Sequence, residues 1–340
     1  MTITRIAELA GVSTSAVSIA LNNKSGVSQE TRDKILRIAR EIGYKHHGLM
    51  QQHGSLVVRI LGFVDELMGE DMSRSPFFFK LVSDVEREAR AAGFDCMFST
   101  APVSEAAKRI DRLAADDQGP GTLLLGTNLS DDLLVALGRG PGRIVVLDTL
   151  AIGAPVDSVV MNNRQGMAAA TRKLIDLGHT RIGYCYGKTR ISNFLERESG
   201  FHDELRRAGL QAAEHDRVPV SSDINTAQHE LARWLARRST PLPTALVCEN
   251  DYMAIGALRA IAAAGHSVPG DISVTGFDDI AESAVTTPDL TTVNVSTREI
   301  ARAAIARLLD GSRTHDALPI KQIIDTRLIV RGSTAAPAKH

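Results

Sequence analysis

Apolar residues recur at helical spacing from the start of the chain: Ile3, Ile6, Ala7, Leu9 and Ala10 share one face of a short helix. Gly11-Val12 interrupts the pattern. Ser13 then offers a side-chain oxygen suited to capping a second helix through Asn22, with Ala16, Val17, Ala20 and Leu21 on one apolar face. After the turn at Lys24-Ser25-Gly26, Ser28 caps a third helix striped by Ile35, Leu36, Ile38, Ala39 and Ile42, and Gly43 ends it. This layout predicts a small all-α helix-turn-helix head over residues 1–45. The second helix leaves Thr14, Ser15, Ser18, Ile19 and Asn22 on its other face. Their hydroxyls and amide can pair with base edges or phosphates, and an apolar group can touch a thymine methyl. On pattern alone, a capped surface helix of a three-helix bundle fits as well.

From Arg59 the rhythm changes to short β-branched runs alternating with helical stretches. Strands are predicted at Arg59–Val64, Phe94–Ser99, Gly121–Leu125, Arg143–Leu147, Ser158–Met161, Arg181–Tyr186, Thr244–Cys248, Ile272–Gly276 and Thr291–Val295. Helices fall between them, among them Phe79–Ala92, Arg164–Leu177, Phe201–Ala208 and Tyr252–Ala264. Such alternation predicts doubly wound parallel sheets, and its length calls for two lobes. One lobe is expected from residues 59–162 with 291–320, the other from 163–290 with 321–333, leaving a linker at 46–58 and a tail at 334–340. Ligands of such folds sit at the carboxyl ends of strands. That draws attention to Asp148, Asn162-Asn163, Asn250-Asp251 and Asp278-Asp279, whose side chains suit a polyhydroxyl ligand and equally suit helix capping.

Charge sharpens this division. Residues 1–60 hold eight Lys/Arg and four acids, a balance of +4, so the remaining 280 residues carry −5 of the net −1. A basic head on an acidic body points to a polyanion partner for the head. Cys96, Cys185 and Cys248 lie far apart in apolar runs, as expected of buried thiols in a reducing compartment. No apolar stretch follows the N-terminal residues MTITRIAELAGVS and none approaches membrane-spanning length, so a cytoplasmic location without membrane contact is expected. The histidines His46, His47 and His53 lack an acidic or cysteine partner and read as solvated, so no metal and no cofactor is expected.

The words AELAGVSTSAVSIALNN and VSQETRDKILRIAREIGY closely resemble the headpiece of the lac repressor family. SPFFFKLVSDVEREARAAGFD, GHTRIGY, ERESGF, CENDYMAIGALRA, VPGDISVTGFDDI and TTPDLTTVNVSTREIARAAIARLL follow in that family's order, so the resemblance covers most of residues 2–333. It implies a regulator of transcription with a two-lobed, periplasmic-binding-protein-like core, a homodimer on double-stranded operator DNA, controlled by a small effector that is most commonly a sugar. Thr14, Ser15, Ala16, Ser18, Ile19 and Asn22 would then face DNA, with Ala16 and Ile19 where the family usually has Thr and Arg. After Gly43-Tyr44 the family continues with Pro-Asn and a hinge helix whose leucine wedges into the minor groove. Here His46-His47 replaces Pro-Asn and His53 takes the wedge position, which leaves Leu49 or Met50 as the wedge in a shifted register, or a plain flexible linker. Matching positions assign effector contacts to Arg197, Asn250 and Asp278, less securely to Asp148, and place Phe77 and Phe78 at the cleft.

Two rival classes make distinct demands. A nucleotide-dependent enzyme needs a glycine-rich phosphate loop, and neither GxGxxG after the first strand nor GxxxxGK[ST] occurs. A sugar- or nucleobase-binding protein of transport type needs export and no DNA-reading head.

Overall fold

A computed structural model of the chain describes residues 3–21, 26–41, 57–64, 76–116, 119–127, 129–137, 142–310 and 317–338. Asn22, Leu49, Met50 and the segment 42–56 lie outside these residues.

The head consists of α1 (Ile3–Ala10), α2 (Thr14–Leu21) and α3 (Gln29–Glu41). Gly11 makes the tight turn between the first two at φ +68, a conformation that costs a side-chain-bearing residue energy. Ser13 Oγ then accepts from the Ala16 amide at 3.1 Å, and Ser28 Oγ from Thr31 at 3.2 Å, so both expected caps form. Ile6, Ala7, Ala10, Val17, Ala20, Leu21, Ile35 and Ala39 close a separate small core.

The body holds two six-stranded sheets. The first contains β1 (Val57–Val64), β2 (Asp95–Pro102), β3 (Thr122–Leu125), β4 (Ile144–Leu147), β5 (Asp157–Met161) and β11 (Lys321–Ile324), in the order β11-β5-β4-β3-β1-β2, all parallel. The second contains β6 (Ile182–Gly187), β7 (Arg217–Val220), β8 (Ala245–Cys248), β9 (Ser273–Asp278), β10 (Thr291–Asn294) and β12 (Arg327–Ile329), in the order β12-β10-β9-β8-β6-β7, with only β12 antiparallel. β3, β4 and β8 are buried along their whole length, because helices cover both faces of these parallel sheets. Those helices are α4 (Pro76–Ala91), α5 (Ala106–Ala115), α6 (Asp131–Ala136), α7 (Asn163–Asp176), α8 (Ser192–Arg207), α9 (Ile224–Ala236), α10 (Asp251–Ala263) and α11 (Thr297–Leu308).

The lobes are laced differently from the expected division. Thr291–Asn294 pairs with β9 in the second sheet, and Lys321–Ile324 pairs with β5 in the first, the reverse of the assignment from chain order. Ladder hydrogen bonds, not sequence proximity, decide the lobe. The chain therefore crosses between lobes after β5, between β10 and α11, and between β11 and β12. Asn162 Nδ2 donates to Asp325 Oδ1 at 2.8 Å, tying the first crossover to the third. α11 returns to the first lobe, where Thr297 Oγ1 donates to Asp84 of α4 at 2.6 Å. Two boundaries also move. Val57 and Val58, expected in the linker, begin β1, and the expected tail is docked, since the Ala335 carbonyl accepts from Ser273 Oγ at 3.1 Å and lies 2.8 Å from His179 Nε2. Cys185 and Cys248 are buried side by side in the β6–β8 register, whereas Cys96 is only half-buried on the edge strand β2, against expectation.

Candidate functional site

In the head, burial sorts α2 into two faces. Val17, Ala20 and Leu21 are inside, Thr14 and Ser15 are exposed, and Ala16, Ser18 and Ile19 are half-buried. A Cβ at Gly26 would lie 3.5 Å from Ile19, so this side chain leans on the turn before α3. Arg32 of α3 donates to the Ala20 carbonyl at 3.3 Å, placing a cation at the C-terminal end of α2. The result is a short helix braced from behind with small polar groups in front.

In the body, the sequence-derived residues meet at the strand ends between the lobes. Asp148 follows β4 in the first lobe, and Asp278 ends β9 in the second. Both hold positive φ, 62 and 109, and Asp279 follows at 53. Left-handed backbone at non-glycine residues costs energy and persists only where the surroundings fix it.

Arg197 of α8 is the centre of the cluster. It is 3% exposed, and its guanidinium lies 3.7 Å above the ring of Phe277. Nε donates to Asn163 Oδ1 at 2.9 Å, Nη1 to the Glu249 carbonyl at 2.6 Å, and Nη2 to Asp278 Oδ1 at 3.1 Å. Asn163 donates to Asn193 Oδ1 at 2.9 Å, and Asn193 in turn donates to Asp148 Oδ1 at 2.9 Å and to its carbonyl at 3.0 Å. Thr127 donates to the other oxygen of Asp148. A continuous polar chain thus runs from the first lobe to the second, reinforced by Thr149 Oγ1 3.0 Å from Ser192 Oγ.

Burial holds the Asp148 carboxyl above its usual range, against the Thr127 hydrogen bond and the Arg197 charge. Burial also pushes Asp278 up to about 6, with Arg197 opposing and Asp148 adding to the rise. Behind it, burial and then the Asp278 charge bring Asp251 to about 7. Glu249 is likewise raised to about 7 by burial, while Arg190 binds both its oxygens at 2.8 Å and Tyr184 and the Gly187 amide donate to it. Glu249 and Asp251 have both oxygens taken by protein donors, so they support the cluster from behind.

The other expected residues fare differently. Phe77, at the start of α4, packs against the core shared by the lobes and against the separate core of the second lobe, so it spans the gap. Asn250 is buried and uses its Oδ1 to cap α10, accepting from Met253 at 2.9 Å. Of the Asn162-Asn163 pair, Asn162 caps α7 and only Asn163 joins the cluster. Asn193 and Glu249 escaped the sequence reading. Asn193 stands four residues before Arg197, and that spacing on one helix face was the available signal.

Residues 2–46 match the family described as bacterial regulatory proteins, lacI family, and residues 171–334 match a periplasmic binding protein-like domain. The HTH-type transcriptional repressor CytR of Escherichia coli strain K12 is 31% identical over 341 residues, which span 97% of this chain and 95% of that protein. The chain belongs to the lacI family of bacterial regulatory proteins. As a lacI-family protein it is a DNA-binding regulator of transcription with a ligand-binding core, in a family of repressors and not of enzymes. Solved structures agree over its length. The lac repressor dimer bound to operator and the anti-inducer ONPF is 25% identical with a TM-score of 0.72, covering 99% of each chain. The transcriptional regulator CelR–cellobiose complex is 27% identical with a TM-score of 0.70, covering 98% of this chain and 99% of the other. No helix among the described residues is long and apolar enough to cross a membrane.

Proposed function

We propose that this lacI-family regulator acts in the cytoplasm as a homodimeric repressor, reading an operator with α2 and releasing or holding it according to a carbohydrate bound between the lobes. Thr14, Ser15, Ala16, Ser18 and Ile19 form the described part of the DNA face, with Asn22 and Leu49 or Met50 completing it. Asp148, Arg197 and Asp278 form the core of the effector site, flanked by Phe77 and Asn250.

The observation that carries the effector reading is the convergence of two buried carboxylates and one guanidinium from both lobes on a single hydrogen-bonded cluster. Such groups pair with neighbouring hydroxyls, and a ligand touching both lobes biases their arrangement through differential binding. Cellobiose in the CelR complex supports a sugar on this fold. The dimer reading draws on the exposed apolar side chains of Phe79 on α4 and of Met97 and Phe98 on the edge strand β2.

The deciding measurement is a pair of titrations. A thermal-shift screen of neutral sugars and nucleosides identifies the ligand, since binding stabilises the fold by mass action. Asp278→Ala should then lose about one to two decades of affinity for the sugar by calorimetry. Operator binding without ligand should persist by fluorescence anisotropy. Stabilisation by nucleosides alone would overturn the carbohydrate assignment, and unchanged sugar affinity would remove Asp278 from the site.

A further inference from the structure

We propose that the second lobe carries a separate site for a small phosphate monoester, in a groove of about 500 Å3 between α9 and the edge strand β7. Its floor is apolar, formed by Val218, Pro219 and Trp234. Its rim is cationic. Lys188 is paired with Glu230, and Arg238 with the buried Asp216 at 2.6 Å, so neither adds net charge to the groove. Arg233 and Arg237 are different: both are exposed, and neither has an ion-pair partner among the described residues. Arg233 lies in the last turn of α9 and Arg237 is the residue that caps its C-terminus, and both line the same groove. They do so on a body whose overall balance is −5.

The surroundings are fixed in advance. The Arg238 guanidinium lies 4.5 Å over the Trp234 ring while donating to the His215 carbonyl at 2.8 Å, the Pro241 carbonyl at 2.8 Å and Thr240 Oγ1 at 3.0 Å. This holds both the indole and the loop that carries Ser239, a residue of the groove's lining. Two forked guanidinium groups and a hydroxyl suit the oxygens of a phosphate, and a ring-sized carbon frame suits the apolar floor. The volume falls in the range of small-ligand sites. A concave groove of this size favours a metabolite over a macromolecular partner.

Trp234 is the only tryptophan in the chain, so its emission reports on this groove directly. The full-length protein is titrated with ribose 5-phosphate at fixed ionic strength, with ribose as the uncharged control, and the same pair is followed by calorimetry. In the Asp278→Ala protein, whose cleft has lost its sugar affinity, saturable binding of the phosphate compound and none of ribose is expected. The doubly substituted Arg233→Gln, Arg237→Gln protein should bind it at least about tenfold more weakly. Asp278→Ala should bind it unchanged, which separates this site from the cleft. Binding unaltered by the double substitution, equal binding of ribose by Asp278→Ala, loss of phosphate binding in Asp278→Ala, or no saturation by either method would each overturn the proposal.

Discussion

At Arg197, charge and shape do separate work. Its three nitrogens each have a different acceptor, and its flat face rests on Phe277, so a lysine that kept the charge would lose the fork and the stacking together. Arg197→Lys is expected to destabilise the body by about 2–4 kcal/mol, because Asn163 and Asp278 lose their donor inside the protein. Thermal unfolding of the variant beside the parent protein checks this; an unshifted midpoint would mean that the cluster does not depend on the fork. The neighbouring carboxyls carry a pH signature. Asp278 and Asp251 titrate above the ordinary 3.8, near about 6 and about 7, so the folded chain keeps protons that the unfolded chain has released. A raised carboxyl contributes stability that is complete below its unfolded value and lost as pH rises through its folded value. The body should therefore melt at a higher temperature near about pH 5 than near about pH 8, and Asp278→Asn should narrow that difference. An equal or larger difference in the variant would rule out Asp278 as a contributor.

Among the elements, the head shows how much local chemistry specifies. Ser13 and Ser28 cap where the sequence says they should, and Gly11 takes the left-handed turn between α1 and α2. A methyl group at Gly11 would meet nothing within 4 Å, so the cost of Gly11→Ala is conformational alone, about 1 kcal/mol. Hydrogen exchange in the full chain should show faster exchange of α1 and α2 amides with the body unchanged; protected head amides would contradict this. In the body, the buried apolar runs announced themselves as strands, while β7, β11 and β12 did not. β7 is four residues with a proline, tolerable only at an edge, and β11 (KQII) and β12 (RLI) begin with polar or charged residues and stay partly exposed, so no buried apolar run marks them. The lobe of each late strand was illegible for another reason, because residue type sets strand formation but the partner ladder sets the sheet. At the candidate site, Arg197 and Asp278 were readable from family motifs and Asp148 from its place after a strand, whereas the cap made by Asn250 and the bridge made by Asn193 depend on side-chain direction, which spacing alone leaves open.

For the whole molecule, the exposed apolar edge of the first lobe is the feature that most needs a partner. Met97 is 52% exposed and Phe98 39%, on a strand with no neighbour on its outer side among the described residues. If the proposed dimer forms through this edge, Phe98→Glu should shift the protein from dimer to monomer in sedimentation and weaken binding to a two-half-site operator far more than to a single half-site. A variant that still sediments as a dimer would place the interface elsewhere. The crossovers have a consequence for how such a gene can be rearranged. The head joins the body through one pass of the chain, so a new reading head can be spliced on without disturbing the sensor. The lobes share three passes, and the last strands of each arrive interleaved near the C-terminus. A frameshift or stop after Ala284 strips β11 from the first sheet and β10 and β12 from the second, leaving neither lobe whole. Recombination can therefore trade the DNA address of this regulator as a cassette, while its sensor is inherited as one piece or lost.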